Sequence, residues 1–222
     1  MNFWNDEVYK KKLQWNMWPF PEVISTLLGL SQKNEFLGKS VLEVGCGVGN
    51  NIIPVARLGF KAYGIDISDY AILEAKKRSL QENVEIELLS GNIEKLPYES
   101  NFFSFVIDRS VLTCTSPEVI TRSLDEILRV LKPGGIFMAF DWFGINHPDL
   151  RFGRYIDRNC FKDFKFGRFK NVELITSFDI NTLKGYLQKF THLDIKQIVS
   201  NNMTSEILTE TYNFTACKPN LG

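Results

Sequence analysis

A chain of 222 residues with 44% hydrophobic and 23% charged residues is long enough to bury a full single-domain core. Lys+Arg and Asp+Glu both number 26, so the net charge is zero and the whole-chain basic footprint of a duplex-nucleic-acid binder is missing. No apolar run is long enough to span a bilayer, the first residues lack a signal peptide's basic-then-apolar pattern, and the expected location is cytoplasmic.

Residues 5–15 and 21–30 read as two helices broken at Pro19 and Pro21. They form a helical cap over 1–39 that carries Trp4, Tyr9, Trp15, Trp18 and Phe20. From residue 40 the pattern alternates. Strands are expected over 40–44, 61–66, 85–89, 103–108 and 136–141, and helices over 49–58, 69–82 and 117–131. Such alternation predicts a parallel sheet covered on both faces. Lys132-Pro133-Gly134-Gly135 stops the third helix and leads into the fifth strand. The stretch 143–178 reads as irregular and, at that length, as a lid over a substrate. A helix over 179–190 follows, capped by Asp179 or Asn181, with Leu183, Tyr186, Leu187 and Phe190 on one face. Two strands, 193–199 and 208–217, complete a single domain over 1–222. The four cysteines (Cys46, Cys114, Cys160, Cys217) form no C-x-x-C pair and the two histidines are far apart, so no metal site is expected.

The most informative segment is Val41-Leu42-Glu43-Val44-Gly45-Cys46-Gly47-Val48-Gly49-Asn50. A strand ends in a glycine turn that opens a helix, so backbone can approach a ligand closely and unpaired N–H groups face it. The third glycine comes one residue too early for the dinucleotide fingerprint G-x-G-x-x-G. Glu43 would repel a pyrophosphate and suits an ammonium or a sulfonium instead. Asp66, in Tyr63-Gly64-Ile65-Asp66-Ile67, ends the second strand about 20 residues after the first glycine, where a carboxylate can accept from both ribose hydroxyls. The plain alternative is a helix cap, a job that Ser68 or Asp69 can also do. Asp108 and Arg109 leave the fourth strand at its carboxyl end, where open α/β sheets bind ligands. Arg109 either grips an acceptor carboxylate or phosphate, or forms an ion pair with Glu43 or Asp108.

These segments, about 40–142, resemble the class I S-adenosylmethionine-dependent methyltransferases. Gly91-Asn92-Ile93-Glu94-Lys95-Leu96-Pro97-Tyr98 resembles the family's G-D-x-x-x-L-P-[FY] segment, with Asn92 in the place of an aspartate that bonds the adenine amino group. The Asn92 carbonyl can accept the same bond, with Ile93 against the purine. Leu128-Arg129-Val130-Leu131-Lys132-Pro133-Gly134-Gly135 matches the family's lead into the fifth strand. The resemblance implies a three-layer, Rossmann-like α/β fold: a seven-stranded, mostly parallel sheet with an antiparallel last strand and helices on both faces. It implies S-adenosylmethionine as cofactor, S-adenosylhomocysteine as product, and in-line attack by an acceptor O, N or S atom. Glu43, Gly45, Cys46, Gly47, Asp66, Ile67, Asn92, Ile93 and Asp108 would hold the donor.

The acceptor is expected to be a small molecule bound by Arg109, Arg151, Trp18 and Tyr9. Residues 151–170 hold seven Lys/Arg against two Asp, which suits an anionic acceptor or else marks a solvated loop. His147, shortly after the fifth strand, is the named general-base candidate, with a capping histidine as its alternative. His192 reads as structural. The D/N-P-P-Y/F signature of amino-group methylation on adenine, cytosine or glutamine is absent, as is the Pro-Cys nucleophile of cytosine-C5 methylation, so Cys114 reads as a packed residue. Three rivals stand beside this: a nucleoside-binding module without turnover, an RNA or protein methyltransferase, and an NAD(P)-dependent oxidoreductase. Zero net charge counts against nucleic acid, and Glu43 with the early Gly49 counts against NAD(P).

Overall fold

The computed structural model describes residues 3–13, 16–31, 38–204 and 206–220. A single π-helical turn, Trp4–Tyr9, stands where a helix over 5–15 was expected. Its i→i+5 bonds, Lys10 N to Asn5 O at 3.2 Å and Leu13 N to Val8 O at 3.1 Å, widen the coil. Lys12, at φ +55°, sits in a conformation that L side chains rarely adopt, and no helix continues through it. Trp15 lies outside the described residues. Helix α1, Pro21–Leu30, follows with its proline at the first turn, where the missing N–H costs nothing.

The alternating core comes next: β1 (Ser40–Val44), α2 (Ile52–Arg57), β2 (Lys61–Asp66), α3 (Asp69–Gln81), β3 (Ile86–Ser90), β4 (Phe103–Arg109), α4 (Pro117–Val130) and β5 (Leu131–Phe143). Ser68 caps α3 by accepting from Ala71 N at 3.1 Å. The stretch 143–178 is more regular than its sequence suggested. It holds a 3-10 helix, Pro148–Phe152, and a small antiparallel sheet of β6 (Arg154–Tyr155), β7 (Cys160–Lys162) and β8 (Leu174–Thr176). Its own apolar cluster, including Leu150, Phe164, Phe169 and Ile175, explains why: the closely spaced phenylalanines bury one another instead of lying on the main sheet. Helix α5 (Ile180–Tyr186), capped by Asp179, leads to β9 (Thr191–Asn201) and β10 (Ile207–Cys217). His192 is exposed on β9.

The main sheet has the order β3-β2-β1-β4-β5-β10-β9. Strands β1 to β5 run parallel, and β10 is antiparallel to both its neighbours. Strand β5 is 13 residues long rather than six, because Leu131 pairs with Phe103 across a register shift and its far end pairs with β10 through Phe143. Side-chain alternation splits the core in two. Leu42, Val44, Val106 and Phe137 face α4 and α5, whereas Val41, Phe105, Ile107 and Met138 face α1, α2 and α3. The fold is thus a three-layer α/β sandwich with a seven-stranded sheet. No helix among the described residues is long and apolar enough to cross a membrane.

Phe137 is fully buried and touches Phe190 and Phe214 at ring separations of 5.9 and 5.7 Å. Phe137→Ala is expected to cost about 3–5 kcal/mol of unfolding free energy in a denaturant titration. A cost below about 1 kcal/mol would contradict this placement of the core.

Candidate active site

The order of the sheet reverses between β1 and β4, and the carboxyl ends of these strands open a crevice there. The crevice is a cavity of about 780 Å³, in the upper part of the roughly 300–1,000 Å³ range of small-molecule sites. Its floor is the turn after β1. Gly45 and Gly47 have φ of +63° and +54°. A Cβ on Gly45 would meet Val111 Cγ2 at 2.2 Å, and one on Gly47 would meet Tyr9 Oη at 2.5 Å. Both positions therefore need glycine for backbone conformation and for space. Cys46 N donates to Ile65 O at 3.1 Å, and Gly47 N donates to Asp66 Oδ2 at 2.8 Å, which fixes the turn against the end of β2.

Glu43 is buried at the end of β1. Its Oε1 accepts from Asn51 Nδ2 at 2.7 Å, while Oε2 is buried without a partner. Burial pushes its carboxyl up to about 8, against hydrogen bonding from Asn51 and from the Ile52 backbone, which favours the charged form. Burial also raises Asp66, to about 6, although Ser68 N and Gly47 N each donate to it at 2.8 Å. Asp66 thus pins the glycine turn and still edges the cavity with its remaining lone pairs. Ile67, Asn92 and Ile93 line the same end. Asn92 Oδ1 already accepts from Glu94 N at 2.9 Å.

The cap closes over this end through hydrogen bonds. Asn5 Oδ1 accepts from Ser68 Oγ and Tyr70 N, both at 3.0 Å. Arg78 donates to Val48 O at 2.7 Å and to Met17 O at 3.0 Å. Phe20 N donates to Asn51 Oδ1 at 3.0 Å, so the cap is one residue away from Glu43. Tyr9 lines the cavity, and burial together with Asp66 raises its hydroxyl well above the usual range, so it stays protonated. Trp4 lines the cavity as well. Trp18 does not: it is 79% exposed, on the outer side of the cap.

The other candidates fall into two groups. Arg109 lines the cavity, with its guanidinium carbon 3.5 Å from the Phe20 ring centre. Its ion-pair partner is Asp141, at 2.6 Å, rather than Glu43 or Asp108. Asp141 reaches it from a kink in β5, at φ +54° beside a register shift in β10. Asp108 is not a cavity residue. It is fully buried, accepting from Val111 N, Leu112 N and Trp142 Nε1 at 3.1, 3.3 and 2.5 Å, and so knits the end of β4 to β5. Arg151 is exposed and packs on Phe152 outside the cavity.

His147 is 2% exposed, behind the cavity wall formed by Phe143 and Phe169. Its Nδ1 caps the 3-10 helix by accepting from Asp149 N at 3.2 Å, and Nε2 is buried without a partner. Burial, then the charge of Arg168, lower it to about 4. It is not among the residues that line the cavity. Residues that sequence reasoning left unnamed do line the lid side: Phe143, Arg168, Phe169 and Glu173. The density of Phe and Lys/Arg over 151–170 was a signal for the segment, but only the folded lid selects which of them turn inward.

Residues 41–135 match the family model of a methyltransferase domain. The chain is similar to the tRNA N(3)-methylcytidine methyltransferase of Drosophila melanogaster, 28% identical over 168 residues, covering 71% of this chain and 50% of that one. It is also similar to the sterol 24-C-methyltransferase of Saccharomyces cerevisiae, 34% identical over 122 residues, covering 51% and 31%. The chain therefore spans half or less of the length of these relatives. Among solved structures, an S-adenosylmethionine-dependent methyltransferase of Methanosarcina mazei shares the fold with a TM-score of 0.73 at 20% identity, covering 92% of this chain and all of that one. The match over residues 41–135, the relatives and the shared fold together support a class I S-adenosylmethionine-dependent methyltransferase, with S-adenosylmethionine as the cofactor. The site suits that cofactor: a buried, unpartnered carboxylate oxygen awaits a cation, and a side-chain-free turn leaves a cradle that a Cβ would fill.

A carboxyl raised on folding stabilises the protein fully below its unfolded pKa, and that stability is lost as pH rises through the folded value. For Glu43 the loss runs from 4.5 to about 8. For Asp66 and Asp108 it is largely over near 6. His147, lowered on folding, acts oppositely and only between about 4 and 6.5. Between pH 6.5 and 8 the unliganded chain is therefore expected to lose thermal stability as pH rises, with Glu43→Gln flattening that slope. A slope unchanged in the variant would contradict the state assigned to Glu43.

Proposed function

We propose that this chain transfers a methyl group from S-adenosylmethionine to an O, N or S atom of a small acceptor held beneath the lid. One observation carries the reading: the buried Glu43 carboxyl, with one oxygen unpartnered, at one end of a cavity whose lid end carries a guanidinium. S-adenosylmethionine supplies a methyl group made electrophilic by its sulfonium. Glu43 meets the positive charge of the donor and ionises as it does so. Asp66 offers its free lone pairs to the ribose hydroxyls, and Asn92 and Ile93 receive the adenine. Tyr9 and Trp4 close the cavity from the cap and exclude water. With His147 outside the cavity, the lid contributes alignment rather than a histidine base. An acceptor already deprotonated, or acidified by its surroundings, needs no more than this.

A tRNA acceptor, which the Drosophila relative's name carries, is the second reading. The exposed basic residues of the lid favour it. Against it, Arg154 pairs with Asp163 and Arg158 with Glu118, which quenches part of that charge.

Incubation with methyl-labelled S-adenosylmethionine and a cell extract, followed by separation by size, tests both. Label in small polar molecules is expected. Label in RNA would replace the acceptor class, and no transfer despite donor binding would favour a sensor. Asp66→Ala is expected to weaken S-adenosylhomocysteine binding by at least about tenfold, since it removes both ribose acceptors and the Gly47 anchor. Unchanged affinity in a calorimetric titration would rule out the ribose role.

A further inference from the structure

The cavity is electrically polarised. Its donor end carries the Glu43 and Asp66 carboxyls, and its lid end carries the guanidinium of Arg168. Of the cations near the cavity, Arg109 is already paired with Asp141. Arg154 and Arg158 are paired on the lid's exterior. Arg168 alone among these has no carboxylate within ion-pair distance among the described residues. Glu173 also lines the lid end and forms no ion pair with it.

The seat of Arg168 is built. Its backbone N donates to Asp149 Oδ2 at 2.8 Å, and the preceding Gly167 takes φ +75°. A Cβ on Gly167 would fall 2.7 Å from the Asp149 carboxylate, so the turn closes only with glycine there. The guanidinium carbon then lies 5.3 Å from the Phe143 ring centre and 6.0 Å from that of Phe169. Both rings line the cavity and meet at 4.7 Å. The charge reaches Arg109 on the cavity wall and His147 behind it, since Arg168 adds to the lowering of both. A planar, five-donor cation beside an aromatic wall recognises a carboxylate or a phosphate on an apolar body.

We propose that Arg168 is the anion anchor of the acceptor subsite, and that the acceptor carries a carboxylate or phosphate on an apolar or aromatic frame lying against Phe143 and Phe169. This rests on the methyltransferase reading and narrows its acceptor. Arg168 is exposed overall yet is the basic lid residue that lines the cavity, and it takes the anion-binding role in place of Arg109 and Arg151.

The test is calorimetric titration of the full chain, saturated with S-adenosylhomocysteine, with 3-phenylpropionate, phenyl phosphate and the uncharged 3-phenylpropanol. At least one anion is expected to bind about tenfold or more tighter than the alcohol. The better anion names the headgroup. Arg168→Gln is expected to erase the preference and Arg168→Lys to keep part of it, with S-adenosylhomocysteine affinity unchanged in both. Equal binding of the alcohol, a preference that survives Arg168→Gln, or no anion binding while S-adenosylhomocysteine binds would each overturn the anchor. Failure of S-adenosylhomocysteine itself to bind would overturn the methyltransferase reading first, and the anchor with it.

Discussion

The structure turns on a buried carboxyl that keeps one oxygen without a hydrogen-bond partner. Glu43 ends a strand enclosed by apolar neighbours on both sides, and one of its oxygens meets no donor. Burying such a group is costly unless a charge partner arrives or it holds its proton. The glycine turn beside it leaves room for that partner, and Asn51 holds the other oxygen in place. A cation bound at this point would favour the charged carboxylate and draw binding energy from it. A cationic ligand would account for an acidic residue before the glycines here, where a pyrophosphate site would exclude one.

The surrounding elements keep that arrangement closed. Asp66 clasps the turn from β2, Arg78 ties α3 to both turn and cap, and Asn51 links the cap to Glu43. The cap is therefore connected to the donor end through polar contacts rather than only by apolar packing. On the other side, the lid has its own small core and presents two rings and one guanidinium inward. The cavity lies between the carboxyl ends of the central strands and two separately held covers.

Much of this was legible in the sequence. The alternation of strands and helices from residue 40 reported a parallel sheet because period-2 and period-3.6 apolar patterns are local. The places of the glycine turn, Glu43 and Asp66 at the strand ends that line the cavity were legible because a few consecutive residues set them. What failed was tertiary. Asp108 sits at the right strand end, yet the Trp142 indole, 34 residues on, claims its carboxylate. Arg109 finds Asp141 only because β5 kinks there, which a bulge in strand pairing produces. His147 is buried behind Phe143 and Phe169 while Arg168 lines the cavity, because the lid folds on its phenylalanines. A run such as 151–170 carries composition but no period, so the direction of each side chain could not be read from it.

The most direct test of this account is the proton balance of donor binding. S-adenosylmethionine is titrated into the full chain at pH 7 in two buffers of different ionisation enthalpy. The account predicts release of about one proton per donor bound, because the cation ionises Glu43, and loss of that release in Glu43→Gln. Binding without proton release, or release that persists in the variant, would contradict it.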